Sequence, residues 1–483
     1  MHYALITKTL GVLLMTFSFT MVPPAVLAWY FDSVGEYTFL VAFGVIFFLG
    51  LMLWLPVWQR QGELRTREGF LIVTLFWAVL GGIGALPFLL HPSLEISITD
   101  AVFESVSGIT TTGGTVLSGL QELPKSLLFY RQQLQWLGGM GIIVLAVAIL
   151  PMLGVGGMQL FKAEIPGPMK ESKLTPRIAE TAKALWFIYV AFTVLCALLY
   201  RWAGMDWFDA VAHSFSTVAT GGFSTHDESM AYFNSTLIHM ICAAFIFLGS
   251  VSFSLHFAVF RGRSLRAYVR DPEFRFFVGL LVFYVAVIFV GLWSYGLLQN
   301  EGIGLSHAIF QALSFSSSTG FSSTPTSHWP SYLPYFLVVI SFVGGCAGST
   351  SGGVKIIRVA LFVRQSFREL KQLIYPNAVF AVQFGRRAVS ADVMQAVWGF
   401  IGVYIILALL FTLLFMATGL DLGTAFSTTA ASLNNLGQGI DGVSQGFGGL
   451  SPLAKWLMCL AMLLGRLEIF TLLVLFTPLF WRA

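Results

Sequence analysis

"DAVFESVSGITTTG", residues 100–113, lies between two long apolar runs and ends in three threonines and a glycine, with no charge in its last nine positions. A phosphate-cradling loop would join its glycines to a lysine, and a nucleophile elbow would set one hydroxyl beside a base; neither partner is close by. The stretch has counterparts. Aligned without gaps on its final glycine, Gly113, it matches "DAVAHSFSTVATGG" ending at Gly222, "HAIFQALSFSSSTG" ending at Gly320 and "TAFSTTAASLNNLG" ending at Gly437. The second position is Ala101, Ala210, Ala308 and Ala425, followed by Val102, Val211, Ile309 and Phe426; small residues recur at Ser105, Ser214, Ala312 and Thr429. The four glycines are 109, 98 and 117 residues apart, a period that marks an internal repeat.

The surroundings of each copy are apolar. Of the 483 residues 57% are hydrophobic and 10% charged, and the mean hydropathy of +0.80 excludes an ordinary soluble domain. Crossing about 30 Å of hydrocarbon takes about 20 apolar residues. Ten runs of that kind are predicted, at 5–29, 37–58, 70–90, 132–154, 180–202, 236–260, 275–297, 333–362, 393–418 and 453–480. The first reads as a span; its alternative is a cleaved signal peptide with Lys8 as basic flank and "AVLA" before Trp29. Cys196, Cys242, Cys346 and Cys459 all fall in apolar runs without metal-ligand spacing, and so read as small hydrophobes. Most of the 27 Lys and Arg lie at the termini or in the loops near 60–67, 162–177, 261–275 and 358–387, leaving Lys125, Arg131, Arg201 and Lys455 on the opposite side. By the positive-inside rule those basic loops face the cytoplasm, with both termini.

Each copy therefore reads as span, short half-helix, polar glycine loop, span. Ten helical residues reach only about 15 Å, enough to enter a bilayer but not to cross it. The loop must climb back as extended backbone, which is tolerated only where it lines a cavity or is buried in protein. A ring of backbone carbonyls replaces the hydration shell of a monovalent cation, glycine supplies the unusual backbone angles at little steric cost, and the helix C-termini aim partial negative charge at the centre. No ring of Asp or Glu accompanies the loops, which points away from a divalent ion. No acid, base and nucleophile cluster together, which argues against an enzyme. The basic loops recur after every second span, so the repeats share one orientation, unlike the inverted repeats of many secondary transporters. The fold expected is an all-α polytopic membrane protein: two N-terminal spans (1–60) and four span/half-helix/span repeats (68–160, 178–262, 273–365 and 390–483) in pseudo-fourfold order around one pore.

At these residues, and along "REGFLIVTLFW", "QWLGGMGIIVLAVAILPMLGVGGMQL", "GGCAGSTSGG" and "GRLEIFTLLVLFTP", nearly the whole chain resembles the Trk/Ktr/HKT superfamily of potassium and sodium translocating proteins, in its bacterial TrkH branch. The resemblance implies a selectivity filter at Thr110, Thr111, Thr112 and Gly113; Ala219, Thr220, Gly221 and Gly222; Ser317, Ser318, Thr319 and Gly320; and Asn434, Asn435, Leu436 and Gly437. In the superfamily glycine at all four final positions goes with potassium preference and serine at the first with sodium. It also implies a dimer of such chains and control by a cytoplasmic nucleotide-binding subunit of the RCK type, TrkA-like. The transported potassium ion is the only cofactor expected, and whether flux is channel-like or proton-coupled is left open.

Two further features lie in the apolar runs. "GGCAGSTSGG", residues 344–353, places five glycines, Gly344, Gly345, Gly348, Gly352 and Gly353, in the middle of the eighth run, where each costs a helix roughly 1 kcal/mol. The run should break there. A close helix-packing face is one reading; an intramembrane loop obstructing the pore is the other, which the resemblance favours. Arg466, fifteen residues before Trp481, falls near mid-bilayer; it reads as a gating charge or as the partner of Glu468 or Glu104. His213, His239, His256 and His307 share no spacing and read as satisfied helix contacts or loop-lining residues, and Asp100 and Asp209 as carboxylate caps of the first two half-helices, with attraction of cations as the alternative.

Overall fold

The computed structural model describes residues 2–31, 35, 37–60, 62, 66–144, 175–297, 304–385 and 387–482. The end of the fourth apolar run (145–154) and most of the 162–177 loop lie outside them. The chain is helical, apart from one two-residue antiparallel strand pair in which Gln383 faces Ala388. In chain order the helices include α1 (Tyr3–Ser18), α2 (Val22–Phe31), α3 (Thr38–Trp54), α4 (Thr66–Ile83), α5 (Leu86–Leu90), α6 (Ile98–Ile109), α7 (Lys125–Val144), α8 (Thr175–Trp202), α9 (Trp207–Val218), α10 (Thr236–Ser250), α11 (Phe253–Gly262), α12 (Pro272–Ser294), α13 (Leu305–Ser316), α14 (Tyr332–Ser341), α15 (Ile356–Ile374), α16 (Ala391–Ala417), α17 (Leu422–Leu433), α18 (Pro452–Arg466) and α19 (Phe470–Leu473), with short turns of helix at Arg266–Arg270 and Pro478–Trp481 besides.

Among the described residues six helical stretches are long and apolar enough to cross a membrane: Tyr3–Phe31, Thr38–Val57, Arg67–Leu90, Ala182–Trp202, Pro272–Ser294 and Ala391–Ala417. The sixth and tenth apolar runs are not straight spans. The first bends by 93° between α10 and α11, the second by 108° after α18. Hydropathy is blind to such a bend, because the residues remain apolar on both sides of it. The backbone shows what permits the first one: the Ser250 and Gly249 carbonyls accept from Cys346 N (2.9 Å) and Thr350 N (3.2 Å), and Phe253 N donates to the Gly348 carbonyl (3.1 Å). Amides that a continuous helix would have satisfied are thus paired with the glycine-rich stretch of the eighth run, where an unpaired group in hydrocarbon would cost several kcal/mol.

The four short helices α6, α9, α13 and α17 are each twelve residues long. Three begin with a side-chain cap, in which Ser97, Asp206 and Asp421 accept from the amide three residues on; Gly304 starts the third without one. The caps therefore lie earlier than the sequence suggested. Asp100 sits inside the first turn and accepts from the Ser97 hydroxyl (2.8 Å) while its own amide donates back to that oxygen (3.1 Å), a reciprocal cap. Each short helix packs against the span before it, the span after it and one helix of the preceding repeat: α6 against α18, α9 against α7, α13 against α10 and α17 against α14. The cycle closes, and the C-termini meet at its centre. Two large apolar cores flank that centre, one joining the N-terminal helices to the first and last repeats, the other joining the second and third.

Candidate ion-conducting site

All four short helices end in the same way. The residue in the left-handed region is Thr111 (φ 53), Thr220 (φ 50), Ser318 (φ 54) and Asn435 (φ 53). Its amide donates three residues back, to Gly108, Thr217, Phe315 and Ser432. The next amide donates five residues back, Thr112 to Ser107 (2.9 Å), Gly221 to Ser216 (2.8 Å), Thr319 to Ser314 (2.8 Å) and Leu436 to Ala431 (3.0 Å). These are paired Schellman bonds, in which glycine normally holds the left-handed position. Here a side chain is kept despite the strain, and three of the four have work there. Thr220 Oγ1 donates to Thr350 Oγ1 (3.0 Å), Ser318 Oγ accepts from Gly352 N (2.6 Å), and Asn435 Nδ2 donates to Thr112 Oγ1 (3.0 Å) and the Met462 carbonyl (2.9 Å).

The glycine that closes each aligned segment follows, at φ 83, 81, 80 and 71 for Gly113, Gly222, Gly320 and Gly437. A Cβ on Gly113 would lie 2.0 Å from the Gly221 carbonyl oxygen, one on Gly222 2.0 Å from that of Thr319, one on Gly320 1.9 Å from that of Leu436, and one on Gly437 2.0 Å from that of Thr112. Each glycine thus lies against the carbonyl of the neighbouring repeat, in one direction around the ring. Four backbone oxygens thus take equivalent places around the ring, and no side chain but hydrogen fits beside them. The structure brings together all sixteen residues expected there, and all of them except the half-buried Gly113, Gly222, Gly320 and Gly437 are buried.

The eighth run is helical over α14 and again from α15; between them the chain forms a closed loop directly against this ring. Its ends are tied by Val354 N to the Phe342 carbonyl, Lys355 N to Val343 and Ile356 N to Gly345, each 3.0 Å, with Gly353 and Gly344 so close that a Cβ on Gly353 would lie 2.9 Å from Gly344 Cα. A Cβ on Gly345 would meet Ser351 Oγ at 2.6 Å, and one on Gly352 the Asn434 carbonyl at 2.1 Å. Glu273 of α12 accepts from Ala347 N (2.7 Å), and the Lys355 ammonium donates to the Ser351 carbonyl. Through Thr350, which meets Thr220, and Gly352, which meets Ser318 and Asn434, the loop touches three of the four converging segments.

Arg466 ends α18 beneath the same ring. It is not ion-paired to Glu468 or Glu104: its Nη1 donates to the Thr350 carbonyl and its Nη2 to the Gly138 carbonyl of α7, both at 3.0 Å. Glu468 instead holds Arg358 (2.7 Å). Glu104 holds Arg131 (2.6 Å), whose Nη1 reaches the Ser224 carbonyl and Nη2 the Thr115 hydroxyl. Arg131 is wholly buried and Lys455 nearly so, the latter against Asp100 at 2.5 Å. The histidines are satisfied: His213 by Ser224, His239 by the Met230 carbonyl, His256 by Tyr268 and Leu248, and His307 by Ser323. Sequence reading missed Gln135, which contacts Gly221, and Glu273. A signal for the first existed in "YRQQLQW", residues 130–136, four long polar side chains in a segment that begins a span.

Converging short helices, a cage of backbone oxygens and a chain built to lie in lipid together define a class, the membrane translocators of small cations. The chain belongs to the TrkH family of cation transport proteins, which it matches over residues 36–482. It is 54% identical to the Trk system potassium uptake protein TrkH of Halomonas elongata and 51% identical to that of Escherichia coli, with 100% of both chains covered in each case. The crystal structure of the potassium transporter TrkH from Vibrio parahaemolyticus superposes with a TM-score of 0.93 at 49% identity, again over 100% of both chains. These relatives are transporters, not enzymes.

Proposed function

We propose that this chain takes up potassium across the cytoplasmic membrane through the ring of carbonyls at Gly113, Gly222, Gly320 and Gly437, with the loop of residues 344–353 and Arg466 as its gate. The reading rests on one observation above all, the four equivalent glycine-to-carbonyl contacts, which leave no room for a Cβ. Neutral dipoles hold an alkali ion weakly enough to release it. The Thr350 carbonyl bonded to Arg466 couples the loop to a fixed positive charge, so displacement of α15, the helix that leaves the loop, moves both obstacles. The divisions at 68–160, 178–262, 273–365 and 390–483 are the four repeats of this passage. A cytoplasmic nucleotide-binding subunit of the RCK type is the proposed regulator and a homodimer the proposed assembly, both supported by kinship with a named uptake system.

The test is the reversal potential of the purified protein in planar bilayers under opposed potassium, sodium and proton gradients. A potential that follows potassium supports the reading; one that follows protons as well assigns a coupled transporter on the same scaffold. In the same assay Gly113→Ser should lower the potassium-to-sodium permeability ratio by tenfold or more, because its side chain must displace the Gly221 carbonyl. Unchanged discrimination in a folded variant would remove the ring from the ion path.

A further inference from the structure

The four converging segments have one backbone path but three different ways of being held. In the first, the hydroxyls of Thr110 and Thr112 are 2.8 Å apart, and in the third those of Ser317 and Thr319 are 2.7 Å apart, a staple within the segment itself. In the fourth, Asn434 is held by Tyr404 and, through its Nδ2, by Ser341 Oγ at 2.8 Å. The second segment has neither device, since Ala219 and Gly221 occupy the positions of the stapling hydroxyls. The space where a side chain on Gly221 would go is filled by Gln135 of α7: a Cβ there would lie 2.5 Å from its Cδ and 2.5 Å from its Oε1. The carboxamide bonds both ways, Nε2 donating to the Gly221 carbonyl (2.6 Å) and Oε1 accepting from Phe223 N (3.1 Å), and it is wholly buried.

We infer that Gln135, supplied by the preceding repeat, is the specificity-positioning residue of the second segment, replacing in trans the hydroxyl staple of the first and third. The inference rests on the proposed role of the carbonyl ring. The Gly221 oxygen is one of the four oxygens at the level of the glycine contacts, and the only one of the four that accepts a side-chain hydrogen bond among the described residues. That bond has two consequences. It fixes the direction of a peptide that glycine would otherwise leave free to rotate, and it commits one lone pair of the oxygen to an N–H, lowering the field that this oxygen presents to an ion. A softer field at one corner of the cage favours the larger, more weakly hydrated alkali ion, because the smaller one needs stronger ligands to repay its dehydration. Gln135 thus acts on the ion through Gly221 without touching it.

The experiment compares bi-ionic potassium-to-sodium permeability ratios in proteoliposome-fused bilayers for the wild type, Gln135→Leu, Gln135→Met, Gly113→Ser as control, and a triple variant, Gln135→Ala with Ala219→Ser and Gly221→Thr. Neither Ala219 nor Gly221 has a positive φ, so the backbone accepts the rebuilt staple. The ratio is expected to fall about fivefold or more in Gln135→Leu and Gln135→Met and to recover substantially in the triple variant, a rescue that a merely space-filling role for Gln135 would not produce. A full ratio in both single variants while Gly113→Ser has lost its own overturns the role of Gln135 and leaves the ring standing. A full ratio in all of them overturns the ring. Failure of the triple variant to recover, with monodisperse protein, overturns the staple equivalence; if Gln135→Leu does not fold, the unbranched Gln135→Met carries the comparison.

Discussion

Arg466 shows how much one residue can hold in tension. Its guanidinium is buried, two of its nitrogens donate to carbonyls of two different elements, and Nε has no hydrogen-bond partner. Among the described residues no carboxylate pairs with it, so in the proposed gate its charge acts on whatever passes. At an effective dielectric of about 20, two unit charges about 6 Å apart interact by roughly 3 kcal/mol, enough to slow passage by about a hundredfold if all of it were barrier. Arg466→Ala should therefore raise basal flux by one to two orders of magnitude in liposomes containing this chain alone, while Arg466→Lys, which keeps the charge, should not. Because the alanine also leaves the Thr350 and Gly138 carbonyls without a donor, at about 1–3 kcal/mol each, flux is compared at matched amounts of folded protein. Equal flux in the two variants would return Arg466 to a structural role.

At the scale of elements, the short helices are anchored differently at their N-terminal ends, although their C-termini coincide. On α9, Asp209 accepts from Thr225 Oγ1 (2.6 Å) and pairs with His226 Nε2 (3.0 Å), while His226 stacks on Tyr232 at 3.5 Å between centroids. Burial alone would raise the Asp209 carboxyl; the hydrogen bonds of His226 and Thr225 and the nearby His213 outweigh it, so that it lies below its ordinary value. A carboxylate whose folded pKa is depressed contributes stability that is complete above the unfolded value of about 3.9 and is lost as pH falls through the folded one. Asp209→Asn should then lower the melting temperature at pH 7 but flatten the loss between pH 5 and 3, as read by thermal unfolding in detergent. A parallel acid limb in wild type and variant would show that this contact is not what fails. The same short helix carries the Gly222 loop at its other end.

For the whole molecule, the question is what moves the gate. Among the described basic residues, Arg263, Arg266 and Lys371 are exposed and Arg368 is half-buried, in the segments flanking α11 and along α15. If the proposed nucleotide-binding subunit docks there, reversing all four charges should weaken its co-purification by tenfold or more and leave basal flux unchanged; binding that survives would move the contact elsewhere on that face. The route from such a surface to the ring runs through α15 into the loop. There Glu273, Ser250 and Gly249 hold the loop to α10 and α12, and Arg466 holds it to α7, so a pull on α15 is shared by several elements rather than by one hinge.

Most of this was legible in the chain because it is encoded locally. Apolar runs of membrane length, four half-helices of one size and a glycine after each are patterns of adjacent residues, whereas the left-handed backbone of Thr111, Thr220, Ser318 and Asn435 is not among them, because glycine normally takes that position. The five glycines of residues 344–353 likewise announce a break in their helix by propensity alone. The rest depends on residues distant in sequence. The bends after Ser250 and Arg466 occur inside uniformly apolar runs, so hydropathy carries no trace of them. Arg131 and Lys455 read as basic residues on the side opposite the basic loops and Arg466 as a charge near mid-bilayer, yet the partners of each are set by folding, carboxylates for the first two and carbonyls for the third. Gln135 lies 86 residues from Gly221, and only closure of the ring of repeats brings them within 2.6 Å. Local sequence fixes which backbone angles are cheap; which buried polar group finds a partner is decided by packing, since its partner is whatever the assembled helices place beside it.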